Sequence, residues 1–351
     1  MRALPTRLLA VGVALLLVGC GTSDEASTEA GVSQPEASRN EHPQPVKPRH
    51  HLHITLNGRP GPETSGILLA DQRGYFADVG LKMTITYPQS PALPITYAAS
   101  GATDVVVTQE PELVLARDEG FSLVAFGSLV PHPTMAMIWL KGSGIDSVAD
   151  LKGKTIAYPG VEVQKDFLLS LLETAGLELA DVKLQSVGYH LTQALERGRA
   201  DAIFGGSSSV EGASLEASGL HPVIAPMTET GVPGYDELVF TTRPGLLAAD
   251  PTLARRMLKA VSRGAAAVKA DPAAGRKAVA DSQLEPAALQ DMGASVAATA
   301  PLLSGTGDID PARVSKLVDW MHAQGMIGSE VPVSQLVAGD QEAAEPSQGQ
   351  E

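Results

Sequence analysis

The sequence predicts an α/β protein built from two similar units, and three observations support this prediction. Short apolar runs alternate with stretches of helical periodicity, which is typical of an open and mostly parallel sheet. The alternation restarts after the Lys-Gly-Ser-Gly stretch at 141–144. The chain has 351 residues, more than the roughly 100–200 of a usual single domain, and 44% of them are hydrophobic. We therefore expect two lobes.

The predicted elements follow a βαβ order within each unit. In the first unit we expect strands at 52–56, 82–87, 104–108, 123–127 and 135–140, and helices at 67–73, 93–100 and 112–119. In the second unit we expect strands at 155–158, 182–187 and 202–204, and helices at 163–175 and 191–197. Two later helices, at 251–269 and 311–322, are expected to cap the first lobe, with Met257, Trp320 and Met321 in the core.

The first twenty residues are typical of a bacterial lipoprotein signal. Arg2 and Arg7 precede an apolar run at 8–18, which is too short to span a bilayer as a helix. The run ends in Leu-Val-Gly-Cys, and Cys20 is the single cysteine of the chain. We expect cleavage after residue 19, lipidation of Cys20, and a location on the extracytoplasmic face of the bacterial cell membrane, held by the lipid alone.

Composition narrows the remaining function classes. A net charge of −14 makes nucleic-acid binding a poor fit, and a single cysteine excludes an intrachain disulfide and a multi-thiolate zinc site. Residues 20–50 are rich in Ser, Glu, Pro and Gln, and we expect a disordered linker there and a disordered tail at 339–351. His50, His51 and His53 are expected at the solvated end of that linker, not in a metal site.

The two units share a repeated pattern of helix, glycine, two residues, aspartate and strand. It occurs as Gly101 to Asp104 and again as Gly198 to Asp201. The pattern itself is expected to end a helix and start a strand. Polar turns at 108–111 and 205–208 follow the two strands, and ligands of open α/β sheets bind outside the carboxyl ends of strands. We therefore expect two lobes that face each other across a cleft.

Seven motifs occur in a fixed order: QEPELVLARDEG at 109–120, VPHP at 130–133, LKGK at 151–154, YPG at 158–160, VGY at 187–189, IFGG at 203–206 and GVPGYDELV at 231–239. Together they resemble the thiamine-pyrimidine-precursor-binding family. Its members are solute-binding lipoproteins of ABC importers, related to taurine-, nitrate- and alkanesulfonate-binding proteins. The resemblance covers about residues 54–272.

The resemblance implies a type II periplasmic-binding-protein fold, with two α/β lobes, a ligand cleft and two crossing strands near 137–141 and 238–241. It also implies a small-molecule solute and ABC permease subunits as partners. We expect no cofactor, no metal and no catalysis, because Cys20 is the single cysteine and no G-x-S-x-G, H-E-x-x-H or P-loop motif occurs, and we expect a monomer. The expected organisation is a signal peptide at 1–19, a lipidated linker at 20–50, lobe 1 at 51–140 and 239–338, lobe 2 at 141–238, and a tail at 339–351.

Candidate ligand contacts lie mainly in the polar turns. Glu110 is placed to accept hydrogen bonds from an amino-heterocycle or to cap the following helix, and the two readings stay open. The turn at 158–160 precedes a helix N-terminus, and the turn at 205–208 offers close backbone approach and hydroxyls. The candidates are Asn57, Glu63, Thr108, Glu110, His132, Tyr158, Pro159, Gly160, Gly205, Gly206, Ser207, Ser208, Tyr235 and Asp236.

Three alternatives stay open. The first is a different solute. The stretches at 56–66 and 207–211 lack aromatic residues that the family usually carries, so a sulfonate, nitrate or riboflavin-like vitamin is an alternative to a thiamine pyrimidine precursor. Tyr158, Tyr189 and Tyr235 remain available to stack on a ring. A eukaryotic branch of the family makes the pyrimidine with pyridoxal phosphate and a cysteine-rich segment, which gives an enzyme as the second alternative. The third is a surface or sensor lipoprotein without a ligand.

Overall fold

The computed structural model describes residues 50–282, 284, 289 and 291–339, all within the unit Pro45–Glu351. The predicted signal peptide, Cys20, the linker before His50 and the tail beyond Gly339 lie outside the described residues. Across those described, no helix has the length and apolarity that a bilayer-spanning helix requires.

Two five-stranded sheets form the framework. Their ten strands are β1 His50–Thr55, β2 Leu81–Thr86, β3 Val105–Thr108, β4 Val124–Val130, β5 Met135–Leu140, β6 Thr155–Tyr158, β7 Lys183–Ser186, β8 Ala202–Ser207, β9 Pro222–Pro226 and β10 Leu238–Thr242. The first sheet has the order β2-β1-β3-β10-β4 and the second β7-β6-β8-β5-β9. The fold class expected from the sequence is therefore confirmed.

The two sheets have the same internal arrangement. In the first sheet β1 runs parallel to β2 and β3, and β10 runs antiparallel to β3 and β4. In the second sheet β6 runs parallel to β7 and β8, and β5 runs antiparallel to β8 and β9. Each sheet thus combines a parallel βαβ part with an antiparallel strand in its fourth position.

The chain passes between the sheets at positions that differ from the expected ones. Strand β5 was expected in lobe 1, which was to end at residue 140, but it pairs with β8 and β9 of the second sheet. The first connection therefore lies at 131–134, before β5, and the second at 227–237, before β10. The apolar run of β5 has the same character as the strands of either sheet, so the sequence alone does not indicate its partners.

Thirteen helices are present in the described residues. They are α1 Ser65–Gln72, α2 Tyr75–Asp78, α3 Pro94–Ser100, α4 Glu110–Asp118, α5 Glu162–Thr174, α6 Leu191–Glu196, α7 Ala213–Ala217, α8 Pro244–Ala249, α9 Leu253–Ala270, α10 Pro272–Asp281, α11 Met292–Thr299, α12 Pro311–Ala323 and α13 Val333–Leu336. Short 3-10 turns and one π-turn, Ser208–Gly212, join them.

The long C-terminal helices pack differently from each other. Helix α9 lies on α1 of the first lobe, where a Cβ at Gly264 would collide with the carbonyl oxygen of Gly66. Helix α12 also reaches the second lobe, because the Trp320 ring packs edge-on against Phe167 of α5 at 5.1 Å between centroids. The expectation of a cap on the first lobe alone therefore does not hold for α12.

The repeated glycine–aspartate pattern has the same structural role in both sheets. Asp104 Oδ2 accepts a hydrogen bond from the His53 backbone at 2.8 Å, and Asp201 Oδ2 accepts one from the Thr155 backbone at 2.7 Å. In each sheet the aspartate thus ties the start of one strand to its parallel neighbour. Gly101 and Gly198 precede it with φ of +78° and +62°, the left-handed conformation that ends a helix.

The three histidines lie in strand β1, where the sequence led us to expect the end of a linker. His51 and His53 are exposed on one face, with ring centroids 5.0 Å apart, and His51 Nε2 lies 2.7 Å from Thr84 Oγ1. His50 begins the strand and pairs in register with Leu81. The extended alternation therefore starts two residues earlier than expected.

Candidate functional site

A cavity of about 180 Å³ lies where loops from both sheets meet. Its wall includes Asn57, Arg59, Glu63, Gln109 and Glu112 from the first lobe, Pro159, Gln164, Tyr189, Gly205, Ser207 and Glu211 from the second, and Glu237 from the connection into β10. Most of these residues follow the carboxyl ends of parallel strands, the usual place for ligands of open α/β sheets. A molecule in this cavity touches both lobes and the connection between them.

Local sequence explains how the wall is built. Gln109 precedes helix α4, and Glu112 three residues later bonds back to its backbone N–H at 3.0 Å, which fixes the start of the helix. In the second lobe Glu211, within the π-turn, accepts a hydrogen bond from the Ser207 backbone at 2.7 Å. Both turns thus present carboxyl groups beside the cavity.

Three glutamates from three different parts of the chain line the same cavity, and we call Glu63, Glu211 and Glu237 the cavity carboxyl group. Burial, together with the neighbouring Glu237 and Glu211, raises the pKa of Glu63 to about 8 against the lowering effect of hydrogen bonds with the Ser207 and Thr134 side chains. Burial likewise raises the pKa of Glu211 to about 7. Burial also raises the pKa of Glu237 above its ordinary value. Carboxyl groups are therefore prominent in the wall, and part of the group holds protons near neutral pH, so it offers O–H donors as well as acceptors.

A chain of side-chain amides connects Glu237 to the second lobe. Gln109 Nε2 donates to Glu237 Oε1 at 2.6 Å, and Gln164 Nε2 donates to Gln109 Oε1 at 3.1 Å. Backbone N–H groups of Thr134 and Met135 donate to the other oxygen of Glu237 at 2.6 and 3.0 Å. We call Glu237, Gln109 and Gln164 the amide relay; it joins the connection, the first lobe and the second lobe.

An aromatic ring and a cation lie together in the cavity wall. The guanidinium of Arg59 lies 5.6 Å from the centroid of the Tyr189 ring, and the Tyr189 hydroxyl donates to the Pro88 carbonyl at 3.0 Å. Tyr189 therefore spans the two lobes and offers a face for a flat solute.

Five of the candidate contacts lie in the cavity wall: Asn57, Glu63, Pro159, Gly205 and Ser207. Gly205 has a φ of +79°, and a Cβ there would collide with Gln164 Oε1, so both conformation and space require glycine. Their role as ligand contacts stays a prediction, now with a common location.

The other candidates lie outside the wall. Thr108 is behind it and donates to Glu112 Oε2 at 2.7 Å. His132 is exposed in the first connection, and Ser208 donates its backbone N–H to the Thr134 carbonyl at 2.8 Å. The candidates outside the wall are Thr108, Glu110, His132, Tyr158, Gly160, Gly206, Ser208, Tyr235 and Asp236. Their assignment as ligand contacts has no support from their positions.

Glu110, Asp236, Ser128 and Arg313 form a separate buried network, which we call the hinge network. Glu110 Oε2 accepts a hydrogen bond from the Asp236 backbone at 2.7 Å. Asp236 in turn accepts from Ser128 Oγ at 2.6 Å and pairs with Arg313 of α12 at 2.7 Å. Burial raises the pKa of Glu110 to about 8, with Asp236 adding to the rise. These contacts hold the second connection in place.

Sequence reasoning missed Gln109, Glu112, Gln164 and Glu237 as wall residues, and it named Glu211 only as part of a stretch without aromatics. Two signals were available. The Gln-x-x-Glu spacing at 109–112 is typical of a capping box. Gln164 is a polar residue on the buried face of α5, beside Phe167 and Leu168. Tyr189, expected as a possible ring, does lie in the wall.

The comparisons with known proteins agree with this fold. The family model described as NMT1/THI5 like matches residues 61–275. A formylaminopyrimidine-binding protein of Halalkalibacterium halodurans is 34% identical over 54% of this chain and 57% of its own length. A putative thiamine biosynthesis protein of Haemophilus influenzae is 28% identical over 80% of this chain and 88% of its own length.

Enzymes are also among the relatives. A protein of Legionella pneumophila named 4-amino-5-hydroxymethyl-2-methylpyrimidine phosphate synthase is 28% identical over 61% of this chain and 67% of its own length. The name is thus also carried by a relative outside the eukaryotic branch that the sequence brought into consideration. Among solved structures, the alkanesulfonate-binding protein SsuA of Xanthomonas axonopodis pv. citri bound to MOPS has a TM-score of 0.64 at 20% identity, covering 82% of this chain and 97% of its own.

Proposed function

The chain belongs to the NMT1/THI5-like family, and we propose that it is a solute-binding protein of an ABC importer that captures a thiamine pyrimidine precursor or a similar heterocycle. One observation carries the proposal: the same small cavity is lined by both lobes and by the connection between them. A solute that fills it therefore makes its full set of contacts only when the lobes are closed.

Binding is then a shift in population between open and closed forms. The solute stabilises the closed form by the difference between its binding free energies for the closed and the open form. Glu63 of the first lobe and Gln164 and Ser207 of the second lobe supply polar contacts, and Tyr189 supplies a ring. The closed form delivers its cargo to permease subunits, and the lipid on Cys20 keeps the protein on the extracytoplasmic face of the membrane.

The carboxyl-rich wall favours an amino-heterocycle over an oxyanion. An exocyclic amine donates hydrogen bonds to carboxyl oxygens in either protonation state, whereas a sulfonate or nitrate has no donor of its own and pairs only with carboxyls that are protonated. The wall therefore supports a pyrimidine as the solute over a sulfonate or nitrate. A riboflavin-like vitamin remains the second candidate, because its ring system also carries an N–H donor.

We propose that the protein performs no bond chemistry. Relatives named as synthases make catalysis the alternative. The family resemblance implies that such synthase chemistry uses a cysteine-rich segment. In this chain Cys20 is the single cysteine, and it falls in the predicted lipidation motif. A purified protein that absorbs near the pyridoxal phosphate aldimine band would contradict the proposal.

The experiment is native mass spectrometry of freshly purified protein, followed by calorimetric titration. The titrants are 4-amino-5-hydroxymethyl-2-methylpyrimidine, formylaminopyrimidine, riboflavin and MOPS. We expect binding of the first two, with a smaller radius of gyration by X-ray scattering on binding. No binding of either pyrimidine would overturn the proposal, and tight binding of MOPS alone would replace it with a sulfonate binder.

A matched pair of glycine variants locates the binding site. Gly205→Ala and Gly219→Ala both place a side chain at positive φ, +79° and +74°, but only the first fills space at the cavity wall. We expect Gly205→Ala to weaken pyrimidine binding by more than about tenfold, and Gly219→Ala to leave it within about twofold. Equal effects of the two variants would place the solute elsewhere.

A further inference from the structure

Gln164 carries an unusual buried acceptor. It lies on α5 and is only 4% exposed, and it forms part of the cavity wall. Its Nε2 donates to Gln109, but its Oε1 has no hydrogen-bond partner within the described part of the chain. Buried polar atoms are nearly always paired, because an unpaired one loses the hydrogen bonds that water would give it.

The orientation of this amide is determined by its neighbours. Glu237 accepts from the backbone N–H groups of Thr134 and Met135 on one oxygen, so its other oxygen is left for Gln109. An acceptor at that position requires the NH₂ group of Gln109, which turns the Gln109 carbonyl oxygen towards Gln164. Gln164 must then present its own NH₂ group to Gln109, and its carbonyl oxygen is directed away from the relay.

The space beside Gly205 receives that oxygen. A Cβ at position 205 would collide with Gln164 Oε1, so the missing side chain is what leaves room for the oxygen at this position. The atom is therefore held in place by the relay on one side and by backbone on the other. Such preorganised acceptors discriminate strongly between solutes that donate a hydrogen bond and those that do not.

We propose that Gln164 is a specificity-determining residue whose Oε1 accepts a hydrogen bond from an N–H group of the bound solute, with Gln109 as the positioning residue that fixes its polarity. The inference rests on the proposed function, because it assumes that the solute occupies this cavity. It goes further in naming the atom that distinguishes an amino-heterocycle from an isosteric ring without the amine, and in excluding oxyanions, which would oppose oxygen to oxygen.

The test compares two probes on four proteins. The probes are 4-amino-5-hydroxymethyl-2-methylpyrimidine and its analogue without the 4-amino group. The proteins are the wild type, Gln164→Met, Gln109→Met and a control, Gln185→Met, whose side chain is exposed on β7 of the same lobe. Calorimetry gives the affinity ratio of the two probes for each protein, and thermal melting checks that each is folded.

We expect the wild type and the control to prefer the amino probe by roughly 10- to 100-fold. Gln164→Met should bind both probes alike, mainly because it loses affinity for the amino probe. Gln109→Met should reduce the preference in part, because the Gln164 amide is then free to rotate. A residue with only a structural role would lower both affinities and leave their ratio unchanged.

The outcomes separate the two proposals. An unchanged preference in Gln164→Met, with the wild type binding the amino probe, would overturn the inference and leave the proposed function standing. A wild type that binds neither probe would overturn both. If Gln164→Met has a lower melting temperature than the wild type, Gln164→Ala removes the same acceptor with a smaller side chain. The affinity ratio of the two probes for Gln164→Ala then tests the inference in the same way.

Discussion

Two groups of buried carboxyls lie side by side in this molecule, and only one is neutralised by a cation. In the hinge network Asp236 is paired with Arg313 and bonded by Ser128. In the cavity carboxyl group, no lysine or arginine among the described residues forms an ion pair with Glu63, Glu211 or Glu237. Asp236 and Glu237 are neighbours in sequence, yet their side chains belong to different groups.

The difference separates structural from binding carboxylates. A buried ion pair with satisfied hydrogen bonds holds two elements together, here the second connection and α12. A group of buried carboxyls that are not held in ion pairs is costly for the empty protein, and a solute whose N–H groups pair with their oxygens lowers that cost.

Removing the cation of the hinge network should destabilise the fold most. Arg313→Met leaves the fully buried carboxylate of Asp236 without its partner, and breaking such a pair costs about 3 kcal/mol. Urea unfolding followed by circular dichroism measures the loss. Lys316→Met, an exposed change on the same helix, is the control and should alter the free energy of unfolding by less than about 0.5 kcal/mol. Equal losses in the two variants would show that the pair is not stabilising.

A mutation in the cavity carboxyl group should have the opposite effect and stabilise the folded protein at high pH. The pKa of Glu63 is about 8 in the folded protein and 4.5 for an ordinary glutamate, so the folded state holds a proton that the unfolded state has released between these pH values. Stability therefore falls as pH rises from about 4.5 to 8. Glu63→Gln removes this fall, and we expect a melting temperature higher by roughly 3 °C at pH 8.5 and similar to wild type at pH 4.5. A constant difference at both pH values would contradict the raised pKa.

Glu110 provides the matched comparison for Glu63. Its pKa is also raised to about 8, but its side chain bonds the Asp236 backbone and lies outside the cavity wall. Glu110→Gln should therefore reproduce the gain in stability at high pH and leave pyrimidine affinity within about twofold, whereas Glu63→Gln should weaken it by about tenfold. Titration calorimetry of both variants distinguishes the roles. If Glu110→Gln lost pyrimidine binding, Glu110 would be a ligand contact, as its place in the sequence suggested.

The sequence predicted the parts of the fold that depend on local chemistry. The repeated glycine–aspartate pattern located a helix end and a strand start in both lobes, because φ above zero and a carboxylate beside a free backbone N–H are local requirements. It did not predict the partners of β5, since pairing depends on distant strands. Gln164 and Glu237 were missed for a related reason: their shared hydrogen-bond partner, Gln109, lies 55 and 128 positions away from them in the chain.

The smallest expected effect concerns the link between lobes at Tyr189. Its hydroxyl donates to the Pro88 carbonyl of the first lobe, and Tyr189→Phe removes this bond while keeping the ring over Arg59. One hydrogen bond of this kind contributes about 1 kcal/mol, so closure and pyrimidine affinity should weaken by roughly threefold to fivefold. Tyr75→Phe, on the first lobe and outside the cavity wall, is the control and should leave affinity unchanged. The effect should appear in the dissociation rate measured by stopped flow, because the bond forms only when the lobes meet, and an unchanged rate would remove Tyr189 from the closing contacts.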